Sequence, residues 1–404
     1  MNEGMMLENP RAAATEEQPN RDGVAQPAAG TAAQGDVGSW TAIPASTLEQ
    51  WNFSLLRTAA RCYQYPFWNE PLKALGFKPE YLLYERCGAS LGYVVVMMFG
   101  FALARFGVVI DGPVNLRGDE PLPPDALRAL AAWARRQRCV FLRFSHMDNR
   151  VLEAIEMAMG RAERLDSFPL YPQVEEDVVV KLDPDEGRML AGFQRVARRN
   201  IRDATAAGFE VNVVEATGSE AVMQAVFEGL TRRKGEGIYN RPLASYLEMV
   251  RQAERCGCGR IYLASLKGKP VQVVVVIRTR DLASYVAGAL DVEALADATS
   301  PACLVHWRAM RDSLSMGVKE YNLGAYGPGD VRVFKDKFRP LQRVSPVPVT
   351  VVLKPALWGI WKRVLPLVDR NRDRVRSAAG WLLKTFRVKR GRSASEPSGR
   401  SSVG

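Results

Sequence analysis

The chain has 404 residues, 47% hydrophobic and 25% charged, which is the composition of a globular protein long enough for two domains. Its six cysteines form no Cys-x-x-Cys pair, which argues against a disulfide scaffold or a zinc site and fits a reduced cytoplasmic protein, and two histidines exclude a multi-histidine metal centre. The formal charge of +11 is concentrated at one end: residues 354–404 hold 13 Lys+Arg against 3 Asp+Glu, leaving 42 against 41 elsewhere. That tail predicts an anionic partner, a membrane surface or a nucleic acid.

Residues 1–45 are rich in Ala, Gly, Gln and Pro, carry early acids and no apolar core, and read as a disordered lead-in rather than a signal peptide. Residues 51–75 read as helical with a break near Pro66. Tyr81–Glu85, Gly92–Met98 and Phe106–Ile110 read as strands, the last ended by Asp111-Gly112-Pro113. The uncharged run from Cys87 to Ala104 raises the alternative of a membrane-spanning helix. Gly88, Gly92, Gly100 and Val94-Val95-Val96 suit a turn and buried strands better. A helix follows over 125–138, with Leu127, Leu130, Ala131 and Ala134 on one face, and then a strand at Val140–Phe144.

The second half repeats this scheme. Val178–Leu182 reads as a strand, Asp185–Ala207 as one strongly basic helix stopped by Gly208, and Phe209–Val214 as a strand. Two helices, a hairpin across Lys267-Gly268-Lys269-Pro270, and the strand Ser284–Ala289 come next. Ser300-Pro301 opens a helix whose seam is Cys303, Trp307, Met310 and Leu314, and Glu320–Leu323 is the strand after it. The expected fold class is α/β: two tandem GNAT-like (N-acyltransferase) domains, each a mixed sheet flanked by helices. The boundaries are 46–177 and 178–350, with residues after about 338 as candidates to return to the first domain and 351–404 as a basic amphipathic tail.

Five segments carry a family resemblance: Gln64-Tyr-Pro-Phe-Trp68 with Lys73 beyond it, Ile110-Asp-Gly-Pro-Val114, Arg198-Arg199-Asn200-Ile201-Arg202-Asp203-Ala204, Glu320-Tyr-Asn-Leu-Gly324, and Phe334-Lys335-Asp-Lys-Phe338. In this order, over residues 60–340, they resemble the FemABX family, which moves aminoacyl groups from tRNA onto peptidoglycan precursors. The shorter, FemX-like form without a coiled-coil arm is the closer likeness. Asn322, Ala325 and Arg339 depart from the family pattern, where Asp, Gly and Gly are usual.

The resemblance implies aminolysis: a stem-peptide amine attacks the ester of an aminoacyl-tRNA. The ester is already activated, so alignment and oxyanion stabilisation suffice, and no cofactor is expected. Lys335 matches the family lysine and is the first catalytic candidate, directed by Phe334 and Phe338; the plain alternative is a surface lysine on a strand or turn between two core phenylalanines. Asp111 is a candidate acceptor for the amine proton, or simply part of a strand-ending turn. Arg195, Arg198, Arg199 and Arg202 crowd one helix face. Arg199 and Arg202, with Asn200 between them, match the family helix and suit the pyrophosphate of a lipid-linked or UDP-linked precursor; a solvated, acid-paired face is the alternative. Trp68 and Lys73 are candidates to line the precursor site, against a core tryptophan and an exposed lysine. His306 reads as structural.

The tail interleaves Trp358, Trp361 and Trp381 with cations, as a helix on the anionic inner face of the cell membrane would. An RNA-binding tail is the alternative. The rival function is N-acylation from acyl-CoA, for which Glu254-Arg-Cys-Gly257-Cys-Gly259 is the nearest phosphate-loop candidate. A non-enzymatic membrane or RNA adaptor is a second rival.

Overall fold

The computed structural model describes residues 38–101, 104–165, 176–234, 242–295, 299–327 and 329–370. The first half runs β1 (Ser39–Ala42), α1 (Leu48–Leu55), α2 (Pro66–Asn69), β2 (Lys78–Arg86), β3 (Ala89–Phe101), β4 (Ala104–Ile110), β5 (Val114–Asn115), α3 (Pro124–Arg136), β6 (Cys139–Ser145), α4 (Asn149–Met159) and β7 (Ala162–Arg164). The second runs β8 (Glu176–Lys181), α5 (Glu186–Gly192), α6 (Arg195–Ala206), β9 (Phe209–Val214), α7 (Glu220–Lys234), α8 (Leu243–Arg255), β10 (Gly259–Leu266), β11 (Lys269–Arg278), β12 (Leu282–Leu290), α9 (Ala302–Ser315), β13 (Glu320–Ala325), α10 (Gly329–Asp336) and β14 (Leu341–Val344). β15 (Val349–Val352) and α11 (Pro355–Arg370) complete the described chain.

The strands form two mixed sheets, ordered β1-β2-β3-β4-β6-β15-β7, with β5 on β3, and β14-β8-β13-β12-β11-β10-β9. Each sheet contains one parallel pair, β4–β6 and β12–β13, and each pair is bridged by a crossover helix, α3 or α9. Central strands are apolar on both faces because both faces are covered. On β11, Val273, Val275 and Ile277 join a core shared with the first half, while Val274 and Val276 face the α6–α9 layer. On β3, Tyr93 and Val95 enter the same shared core and Val94 and Val96 pack towards α3. Tyr65, Phe67, Tyr93 and Val95 of the first half thus meet Met249, Val250 and Ala253 of α8 in one continuous cluster, and burial of each such side chain contributes roughly 1.5–3 kcal/mol.

Several sequence expectations need correction. The lead-in expected to be disordered through residue 45 becomes a strand from Ser39: Trp40 is buried on Tyr84, and its indole N–H donates to the Ala126 carbonyl at 2.8 Å. The expected single helix over 185–207 is two helices. Phe193 leaves helical geometry to bury its ring between Trp307 and Phe338, and the Arg198 guanidinium donates to the Ala191 and Phe193 carbonyls at 2.8 and 2.6 Å, capping the end of α5. The uncharged run near residue 90 forms buried strands, as its glycines and valines suggest, and among the described residues no helix is long and apolar enough to cross a membrane. The chain after about residue 338 does return to the first sheet: β14 still pairs with β8, and β15 then inserts between β6 and β7. Trp358 does not face outwards as the lipid-facing reading required. It is buried against Phe106, Phe141 and Val352, and Trp361 packs on the same cluster.

Candidate active site

β12 and β13 pair only over Leu282↔Glu320, Ala283↔Tyr321 and Ser284↔Asn322, and beyond these residues they part. α10 brings Lys335 to the end of β13. The lysine is on a helix, not the strand or turn expected, and is 6% exposed rather than on the surface. Its ammonium donates to the Ala325 carbonyl. It lies beside Gly324, whose φ is +77° and where an added Cβ would come within 3.8 Å of the Lys335 Nζ. Phe334 and Phe338 hold α10 by ring contacts with each other and with His306. Burial pulls the Lys335 amine down to about 8, against the opposing pull of the Asp177 carboxylate.

Asp177 on β8 is central to the cluster. Its carboxylate accepts from Asn322 Nδ2 at 3.0 Å, and the Asn322 Oδ1 accepts from the Gly324 N–H at 2.7 Å. Asn322, one of the departures from the family pattern, therefore ties the acid of β8 to the turn beside Lys335. Substituting Asp for Asn322 removes the donor and sets carboxylate against carboxylate. The expected result is a loss of about 1–3 kcal/mol, read by denaturant unfolding at neutral pH.

Asp111 and His146 stand at the carboxyl ends of the parallel strands β4 and β6, both in left-handed backbone conformations at φ +52° and +62°. The Asp111 N–H donates to the Ser145 carbonyl at 3.0 Å, joining the two strand ends. Gln64, from the first resemblance segment, supports this turn: its amide donates to the Ile110 carbonyl at 2.5 Å and accepts from the Val95 N–H at 2.8 Å. The Asp111 side chain is 7% exposed with the Arg61 guanidinium 3.9 Å away. Burial raises its carboxyl to about 7; Arg61 opposes that shift and Asp177 adds to it. Burial also lowers the His146 imidazole, which Asp177 opposes and Arg61 reinforces. Asp177 thus exerts its field on Asp111 and His146 of the first half and on Lys335 of the second. The two residues proposed for proton and charge handling from sequence share one electrostatic neighbourhood.

Asp177, Arg61 and His146 were not singled out as site residues from sequence. Asp177 sits at the start of an ordinary-looking strand, and only the β13–β8 and β14–β8 pairing brings it to the cluster. His306 is structural as expected. It is fully enclosed, its Nδ1 lies 3.0 Å from the Tyr321 hydroxyl, and burial followed by the nearby Lys335 charge pulls it down to about 3, so it is neutral.

The remaining candidates lie further out. Trp68 is buried in the shared core, edge-on to Tyr63, whose ring in turn faces His146 at 5.9 Å. Lys73 is exposed and paired with Glu70 at 2.8 Å. The arginines of α6 do not form one packed face: Arg198 is turned to α5, Arg199 is 72% exposed with Asp203 at 3.2 Å, and Arg202 is exposed. Asn200 points to Cys303, 3.8 Å from its sulfur. α6 is nonetheless tied to the Lys335 segment, because the Gln194 N–H at its start donates to the Lys337 carbonyl at 2.9 Å.

The phosphate-loop candidate at 254–259 is structural. Glu254 accepts from the Ala216 N–H, and Cys256 and Cys258 are buried in the shared core. Where β12 leads into α9, residues 291–301 contain no glycine and no Lys or Arg. The Asp291 carboxylate there already accepts from the Glu293 and Ala294 N–H groups at 3.1 and 3.2 Å. Among the described residues no group of three His, Cys, Asp or Glu side chains is arranged to hold a metal.

Comparison with known proteins places this geometry. The acetyltransferase (GNAT) domain family matches residues 191–335. FemX is similar over 80% of this chain and 99% of its own, with a TM-score of 0.62 and 12% identity. The DUF2156 C-terminal domain of a protein assigned as a lysylphosphatidylglycerol synthetase from Agrobacterium fabrum covers 80% of this chain and 97% of its own, with a TM-score of 0.51 and 17% identity. L-PGS from Bacillus licheniformis covers 80% and 98%, with a TM-score of 0.50 and 12% identity. No curated protein matches the chain. The fold is the FemX-like tandem GNAT fold, and with the domain match it defines the class as a transferase of the acyltransferase kind.

Proposed function

We propose that the protein is an aminoacyltransferase that moves an amino acid from aminoacyl-tRNA to an amine on a lipid-linked or UDP-linked peptidoglycan precursor. The observation that carries this reading is the buried Lys335 ammonium at the parted ends of β12 and β13, held on the Ala325 carbonyl and within the field of the same acid, Asp177, that acts on Asp111. The acceptor amine attacks the ester carbonyl, a C–N bond forms, and negative charge gathers on the carbonyl oxygen, where the Lys335 cation stabilises it. Asp111 takes the proton the amine releases. The C–O bond to the tRNA ribose then breaks, and the ribose oxygen leaves with the proton that Asp111 took from the amine, which returns Asp111 to its carboxylate form. No covalent enzyme intermediate is needed. The donor makes this a cytoplasmic reaction.

Acyl-CoA is the less favoured donor, on a specific observation. The β12–α9 connection, the strand-to-helix turn at which backbone N–H groups would hold a pyrophosphate, is acidic, and its Glu293 and Ala294 N–H groups are occupied by Asp291. Arg199 and Arg202 are assigned to precursor phosphates. Replacing both with Ala is expected to raise the precursor KM roughly a hundredfold or more with little change in kcat, since each charge-assisted contact contributes about 1.5 kcal/mol or more. Steady-state kinetics with a UDP-linked precursor test this, and an unchanged KM removes the assignment. The reaction itself is tested with a precursor whose stem-peptide amine has been acylated beforehand: the blocked precursor is expected to accept nothing. Label entering it as fast as the free precursor would overturn the amine-acceptor reading.

A further inference from the structure

We infer that α11 is a docking helix for an anionic lipid surface, fixed to the protein by Trp358 and facing the lipid with Ala356, Ile360 and Val364. These three residues are spaced by four and form one stripe. Ile360 is 59% and Val364 38% exposed, and Ala356 is exposed as well. The opposite side is bound to the first half. Trp358 is enclosed by Phe141, Phe106 and Val352, and its indole N–H donates to Glu163 at 3.1 Å. Lys362 donates to the same carboxylate at 2.9 Å.

Two observations choose the occupant. The first is charge. The chain from residue 354 onward holds 13 cations against 3 acids, so an anionic surface is the complementary partner, each cation near such a surface contributing about 1 kcal/mol. The second is side-chain type. Base stacking on an RNA needs exposed aromatic rings, but Trp358 and Trp361 pack against the protein, and the large apolar side chains exposed in the described part of α11 are aliphatic. Exposed Ile and Val between cations suit the headgroup–acyl boundary of a bilayer, where burial of apolar area and attraction to anionic headgroups act together. Because α11 is clamped to the first sheet, docking its outer stripe fixes the orientation of the whole body on the membrane. This inference does not depend on the transfer reaction and is read by binding alone.

The test is flotation of the full-length protein with phosphatidylcholine vesicles that contain phosphatidylglycerol, against pure phosphatidylcholine vesicles. The wild type is expected to float with the anionic vesicles only. The double substitution Ile360→Glu and Val364→Glu is expected to weaken binding roughly tenfold or more. Ile360→Trp, which keeps the stripe apolar and adds an interfacial ring, is expected to tighten it. Val213→Glu, at an exposed position on the β9 edge, is expected to bind like the wild type. A wild type that stays unbound, or a double variant that floats as well as the wild type, overturns the inference.

Discussion

Replacing Lys335 with Met is expected to lower kcat by about 10²–10³-fold, the scale of removing one oxyanion-stabilising group, while leaving the protein folded and at least as stable. The stability half of this expectation follows from the ionisation of the lysine. Its amine is pulled from 10.5 to about 8 on folding, chiefly by burial. Below pH 8 both folded and unfolded chains carry the proton, so folding bears the full cost of enclosing a cation, about 3 kcal/mol. Between pH 8 and 10.5 the folded state releases its proton first, the unfolded state binds more protons, and stability rises with pH. Urea unfolding of wild type and variant across that window is the check: the wild type gains stability and the variant does not. A buried cation that opposes folding, at a cleft between parted strands, is the signature of a group retained for chemistry. A Lys335→Met protein that transfers at the wild-type rate would remove the lysine from the mechanism.

The rate of transfer is expected to follow a bell with its maximum between about pH 7 and pH 8. Asp111 must be ionised to take a proton, and burial raises its carboxyl from 3.8 to about 7, so activity climbs through that pH. Lys335 must be protonated to stabilise the oxyanion, so activity falls above about 8. Asp111→Asn is expected to abolish the rising limb and lower kcat by about 10²–10⁴-fold, while the falling limb persists. The groups that set the rising limb face Asp111 from separate elements: Arg61 before α2 and Asp177 on β8. Arg61→Ala removes the cation that opposes burial and shifts the limb to higher pH. Asp111 also has an opposite stability signature from a structural carboxylate. Its folded form holds the proton more tightly than the unfolded form, so its contribution to stability falls as pH rises from 3.8 to 7. A pH profile of Asp111→Asn that overlays the wild type would assign the residue to the strand-ending turn alone.

Much of the fold was legible because periodicity survives folding. The α3 face of Leu127, Leu130, Ala131 and Ala134 is buried as its spacing requires, and so are Cys303, Trp307 and Met310 of α9. What was missed shares a physical cause. β1 and β15 are short, and their strand character depends on partners far along the chain, β2 for one and β6 and β7 for the other. The break between α5 and α6 is imposed by the place Phe193 takes between Trp307 and Phe338, which helix propensity does not encode. The site divides in the same way. Lys335 was visible in its motif, but its helix and its burial were not. Asp177 has no local signal, because its importance comes from the pairing of β8 with β13 and β14, far along the chain. The tail illustrates the limit of composition: tryptophans and cations on one helix describe a membrane surface equally well whichever way the rings turn, and here Trp358 and Trp361 turn inwards.

The central claim is most directly tested by offering the protein two labelled donors in parallel, a charged tRNA pool and acetyl-CoA, with a UDP-linked peptidoglycan precursor as acceptor. The account predicts label on the precursor from the tRNA pool, in an alkali-stable amide, with none from acetyl-CoA. Label arriving from acetyl-CoA alone would contradict it and make the protein an acyl-CoA-dependent N-acyltransferase.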